Sequence, residues 1–318
     1  MRYLFIQLLI GLGWFLSSHA SGQTKLGQWR THLPYNYCNL VEVTNDRVFC
    51  SATGGLFTYN IIDNSVEKLS KIDGLSDNGI SSMRWSDELE TLMLAYQNSN
   101  VDIIREGVIR NLPDIMKKQI PGDKSIYDIY YLGKNAYLST GFGIVVVNLE
   151  KDEIKETYYI GDNGDALKVN QITSDGTHIY AATDQGVKRG NLSDPFLVDF
   201  NAWETLTDIP NATGTFNTIA FFSGAMFTSY LDPDALRGEV YYNTGEGWND
   251  YPYFNGNRCL EILNHGEYLT LVDDTLVNKI SKNYLVIQQL RSGDPRSASL
   301  DQGGAIWTAD YGGGLITN

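Results

Sequence analysis

A short apolar pattern recurs seven times along this chain, and no other feature constrains the fold as tightly. The copies are VFCSATGGL (48–56), LMLAYQNSNV (92–101), AYLSTGFGI (136–144), IYAATDQGV (179–187), MFTSY (226–230), YLTLVDDTL (268–276) and IWTADYGGGL (306–315). Their first residues lie 44, 44, 43, 47, 42 and 38 apart, a mean spacing of 43. A fixed period of this length marks a repeat architecture, in which each unit buries its apolar face against its neighbours. One place after each start stands a large apolar residue: Phe49, Met93, Tyr137, Tyr180, Phe227, Leu269 and Trp307. Two places further, on the same face of a strand, the residue is small in every copy but the sixth: Ser51, Ala95, Ser139, Ala182, Ser229, Leu271 and Ala309. Large then small along one face suits sheets that converge on an axis. The opposite face carries Cys50, Leu94, Leu138, Ala181, Thr228, Thr270 and Thr308, so the strand is buried on both sides, as between stacked sheets.

A turn follows each strand, commonly with Gly before the next one (Gly55, Gly143, Gly186, Gly314), and Asn100 holds that place in the second copy. Such a turn wants a residue that tolerates positive φ. The next strands read as 56–60, 101–104, 144–149 and 240–243, and a period of 43 leaves room for two more. The expected fold is therefore all-β, a seven-bladed β-propeller of four-stranded blades, where a solenoid would need capping repeats. Outer strands begin with an aromatic residue at Trp203 (WETLTDIP) and Trp248 (WNDYPYF), and Trp29 (WRTHLP) has the same look although it precedes the first repeat. The last repeat ends at Asn318 after its third strand. Residues 28–33 are accordingly expected to supply the missing outer strand of the seventh blade and close the ring.

The first 22 residues read as a signal peptide: Arg2, an apolar run over 4–16, then Ser17, Ser18, His19 and Ala20, with cleavage after Ala20 or Gly22. The run is short for a membrane span, no second one is long enough to cross, and no lipobox cysteine follows. The propeller then occupies 23–318, in an exported protein of the periplasm or outer-membrane surface. The formal charge of -14 argues against nucleic acid and against anionic membranes as nonspecific partners. Hydrophobic residues at 42% exclude a disordered chain. Cys38, Cys50 and Cys259, an odd set without C-x-x-C spacing, read as structural thiols rather than a disulfide framework or a metal site.

The stretches GQWRTHLPYN (27–36), LSKIDGLSDNGIS (69–81), LAYQNSNVDII (94–104), LSTGFGIVVVNLEKDEIKETYYIG (138–161) and YAATDQGV (180–187) resemble the N-terminal propeller of the PorZ family. PorZ proteins are accessory components of the type IX secretion system. The resemblance implies a place at the outer-membrane surface, peripheral and without a transmembrane helix. It also implies partners in the attachment complex of the sortase PorU, and binding of anionic lipopolysaccharide. Family members continue into a second propeller and a C-terminal domain, so this chain would correspond to the first propeller. GLSDNGISSM (74–83) and GGAIWTADYGGGL (303–315) are also similar to periplasmic propellers of two-component regulators, which makes a ligand-sensing propeller the alternative.

Catalytic signatures such as H-E-x-x-H, G-x-S-x-G and the phosphate-binding P-loop are absent, and of the three histidines after the leader, His32, His178 and His265, the last two read as turn residues, so an enzyme is not expected and no cofactor is called for. Asp162, Asn163, Gly164 and Asp165 form an acidic turn whose spacing does not match a calcium loop. Ligand contacts are expected where the turns after the repeat strands gather, at Asn98, Phe142, Asp184, Gln185, Asp274 and Tyr311. An acidic protein meeting an anionic glycan needs a local basic site, and Lys117, Lys118 and Lys124 in DIMKKQIPGDK are the densest candidate, with Arg110 just before them. Deleting residues 28–33 is expected to lower the melting temperature several times more than a single surface substitution does. An unchanged melting curve would refute closure by this segment.

Overall fold

The computed structural model describes residues 35–234, 237–254 and 256–318, which fall within one unit, Leu33–Asn318. The described residues form seven antiparallel sheets, six of four strands and one of three. Every copy of the repeat is the second strand of a sheet: Arg47–Ala52, Thr91–Tyr96, Asn135–Thr140, His178–Thr183, Ala225–Leu231, Leu269–Asp273 and Ile306–Asp310. The first strands are Cys38–Val43, Ile80–Ser86, Ile126–Leu132, Val169–Ser174, Thr215–Phe222, Cys259–Asn264 and Pro295–Leu300. Each of these inner strands packs on the inner strand of the next sheet, and the seventh packs on the first, so the sheets are the blades of a closed ring. Trp203–Thr205 and Trp248–Asp250 are the fourth strands of blades four and five, each starting at its tryptophan. Blade seven has three strands among the described residues; 28–33, expected to complete it, and the leader over 1–22 lie outside them.

The columns of the repeat divide the core as strand alternation demands. The small residues and the opposite face are buried in every blade, and Tyr137, Tyr180, Phe227 and Trp307 pack between blades. Phe49 differs. It is only half-buried, because blades one and two splay apart at its level, and its ring forms one wall of an open cleft. The three thiols are buried and unbridged.

The turns before the third strands use glycine for two reasons. Gly143 has φ 142°, and a Cβ there would stand 2.1 Å from the carbonyl oxygen of Tyr158 on the neighbouring fourth strand. In blade two, Ser99 and not Asn100 takes the left-handed conformation, at φ 67°. Asn100 instead uses its side chain, donating to Asp77 at 2.7 Å and accepting from Asn111 at 2.9 Å. The tight turn is met by polar bonding that a rule about φ alone does not capture.

Truncating Tyr137 or Trp307 to Ala is expected to cost roughly 3–5 kcal/mol in chemical denaturation, and Phe49→Ala less than about 2 kcal/mol because its ring already meets solvent. Equal losses at all three positions would contradict this division of the core.

Candidate functional site

All nine residues expected to meet a ligand lie toward one rim of the ring, where second-to-third strand turns and inter-blade loops gather, but their roles diverge. Phe142 is buried in the core between blades two and three and offers no surface. Asn98 is exposed and spans its own turn, donating to Asp77 at 2.9 Å and accepting from the Asn100 backbone at 3.0 Å. Asp184 accepts from Asn170 at 3.0 Å beside an exposed Gln185, and Asp274 accepts from the Arg258 backbone at 3.3 Å. Tyr311 lies tilted against Tyr37 with ring centroids 5.2 Å apart, and the Arg296 guanidinium covers its face. The three lysines separate in the same way. Lys124 Nζ donates to the carbonyls of Ile115 (3.3 Å), Met116 (2.8 Å) and Lys118 (3.2 Å), closing the C-terminal end of a one-turn helix, Asp114–Lys117. Lys117 and Lys118 are exposed and have no ion-pair partner among the described residues.

The densest chemistry lies on the channel axis, in residues the sequence reading passed over. Each inner strand begins with an irregularity in its pairing, at Cys38/Leu40, Ile80/Ser82, Val169/Gln171, Phe216/Thr218, Cys259/Glu261 and Pro295/Ser297, and opposite Ser139/Thr140 in blade three. In blades four, five and six the residue that follows reaches for the next blade. Gln171 Oε1 accepts from Ile219 N at 2.8 Å, Thr218 Oγ1 from Ile262 N at 3.0 Å, and Glu261 Oε2 from Ala298 N at 2.9 Å. Asp128 is bound by the backbone of Ile172 in the same manner. Two residues further along, Ser299 accepts from Val43 N at 3.3 Å and Glu42 from the backbone of Trp85. Between blades two and three the link is ionic. Arg84 Nη1 lies 2.7 Å from Glu42, and its Nη2 lies 3.0 Å from Asp128 and 3.6 Å from Glu261 across the channel.

Extending the repeat upstream would have exposed this belt. Asp128, Gln171, Thr218, Glu261 and Ser297 stand 8, 8, 8, 7 and 9 residues before the start of their repeats, a polar column shared by five inner strands.

One guanidinium faces three carboxylates, all buried. Burial pushes the Glu42 carboxyl up to about 7, against the pull of Arg84, and raises Asp128 and Glu261 as well. Burial by itself would lower Arg84, yet the attraction of Asp128, Glu42 and Glu261 drives it above its ordinary value and keeps it charged. Above this cluster the channel opens, on the rim away from the lysines, into a cavity of about 500 Å³ lined by Tyr130, Tyr131, Asn264 and His265. Burial, aided by the Arg84 charge, holds His265 neutral, with a pKa of about 3, and its Nε2 sits 2.9 Å from Thr270 Oγ1. The three axial carboxylates thus all lie within ion-pair distance of Arg84, an arrangement that ties blades together.

Residues 48–204 match the family described as the PorZ N-terminal β-propeller domain of the type IX secretion system. The match covers just under half of the chain, and over it this chain resembles a PorZ N-terminal propeller. A solved structure of PorZ, an essential bacterial surface component of the type IX secretion system of Porphyromonas gingivalis, is similar in fold. Its TM-score is 0.77 at 22% identity, over 92% of this chain and 38% of that one. The chain therefore spans well under half the length of that relative. Virginiamycin B lyase from Staphylococcus aureus shares the fold at a TM-score of 0.66 and 13% identity, over 89% of this chain and 94% of that one. A computationally designed protein, Ika8, shares it at 0.59 and 9%, over 90% and 97%. No curated protein matches the chain.

Glu42 titrates higher in the folded protein than in the unfolded chain, so its proton favours the fold. That contribution is complete below about pH 4.5 and is lost as pH rises through about 7. His265 works the other way, since acidification through about 6.5 protonates it only in the unfolded chain. Comparing wild type with Glu42→Gln isolates the first effect. Between about pH 5 and about pH 8 the stability of wild type relative to the variant should fall by on the order of 2 kcal/mol in urea melts. A constant difference across that range would mean that Glu42 titrates alike in both states.

Proposed function

We propose that this chain is a non-enzymatic binding propeller of the cell envelope, acting in a PorZ-like role. In this reading it holds anionic lipopolysaccharide and docks partners of the sortase attachment complex, and residues 1–22 serve as its export leader. The observation that carries the glycan contact is the pair Lys117 and Lys118, exposed on the hairpin rim without a carboxylate partner among the described residues. A formal charge of -14 would repel an anionic polymer from most of the surface, so a local cationic point is what contact requires. Lys124 helps by fixing the loop rather than by touching sugar phosphate, since its ammonium is held by three carbonyls. The channel gives less support to small-molecule sensing or to catalysis, because its buried acids are already paired with Arg84. Among the described residues, no helix is long and apolar enough to cross a membrane, in keeping with a peripheral protein.

Binding of purified anionic lipopolysaccharide to the intact chain tests this reading. Wild type should bind at low salt and weaken at moderate salt, and Lys117→Glu/Lys118→Glu should bind about tenfold more weakly, with an unchanged melting temperature. Lys124→Glu belongs in a separate variant, because it removes the helix cap and confounds binding with folding. Equal binding by wild type and the double variant, or no binding by either, would overturn the proposal.

A further inference from the structure

On the rim opposite the lysines, blades one and two part to leave a cleft of about 690 Å³. Its floor is apolar: Phe49 and Leu69 from blade one face Trp85, Ile104 and Ile109 from blade two, all of them half-buried. Its edge is acidic. Asp46, Glu67, Asp87, Glu90 and Glu106 line it, against the single cation Arg47, which already lies 3.7 Å from Asp46 and 3.5 Å from Glu67. Glu90 and Glu106 hold left-handed turns at φ 44° and 49°, conformations that Gly or Asn would take at lower cost. Both carboxylates stand exposed at turn tips beside the cleft.

Apolar side chains left half-exposed in a cleft of this size match a binding groove better than a core. The charge around them selects the occupant. Five carboxylates and one guanidinium repel phosphate and sugar acids and attract Lys and Arg. We propose that this cleft docks a protein partner through a cationic segment, one bulky apolar side chain entering between the blades and flanking Lys or Arg side chains meeting the acidic edge. The segment lies along the blade-one/blade-two boundary on the turn side of the ring. It leaves the hairpin rim, and any glycan held there, unobstructed, so this inference does not depend on the lipopolysaccharide reading.

The probe is a fluorescein-labelled synthetic nonapeptide in which Lys alternates with Leu and Phe, titrated with the intact chain by fluorescence anisotropy at low ionic strength. Wild type should bind it, and binding should weaken with added salt. Glu90→Lys/Glu106→Lys, at two exposed turn tips, should weaken binding at least about tenfold without moving the melting temperature. Ile109→Asp tests the floor independently of the edge and should weaken binding as well. A peptide with Ser in place of Leu and Phe should bind poorly, as should one with Glu in place of Lys. No wild-type binding at millimolar chain, equal binding by the charge-reversed variant, or equal binding of the Ser peptide would each overturn the proposal. Loss of lipopolysaccharide binding by Glu90→Lys/Glu106→Lys with peptide binding intact would assign the cleft to the glycan instead.

Discussion

The ring depends on how the inner edge of each blade is satisfied. A blade's first strand pairs with its second on one side only, so the backbone groups on its other side face the channel unpaired, and a buried amide without a partner is costly. Here a side chain of the preceding blade accepts from that amide. Gln171 serves Ile219, Thr218 serves Ile262 and Glu261 serves Ala298, each from the place just after a break in strand register. One contact thus does two jobs, satisfying the edge and setting the rotation between neighbouring blades.

Arg84 extends the belt where an acceptor alone would not close it. Its guanidinium reaches Glu42, Asp128 and Glu261, which belong to blades one, three and six, so it braces the ring across the axis as well as around it. Such a cluster adds little net stability compared with apolar packing, but removing one member leaves an uncompensated buried charge. The two rims of the ring differ in kind. The hairpin rim presents Lys117 and Lys118, while the opposite rim presents carboxylates around the apolar cleft of Phe49 and Trp85.

The seven blades, the doubly buried second strand and the outer strands at Trp203 and Trp248 were legible in the sequence, because each follows from a local rule repeated at a fixed period. A residue's type and its place in a strand are enough to say which face it occupies. The belt left a weaker trace, one polar residue about eight places before five of the seven repeats, meaningless until the inner strands are known to face one another. Roles that depend on neighbours distant in the chain were not legible. Phe142 looks like a turn residue and is core, Lys124 looks like a surface charge and caps a helix, and Phe49 shares a column with buried residues and lines a cleft.

What the sequence determined by itself is therefore the periodic part, the fold and the count of blades, since strand alternation and turn chemistry act between residues close in the chain. What only the tertiary structure decided is which charges are free. Arg84 and its three carboxylates come from four different blades, and Lys124 meets carbonyls of a helix that precedes it. Whether a charge is matched or open to a partner is set by distances of 3–4 Å between strands that lie tens of residues apart, and no local pattern encodes those distances.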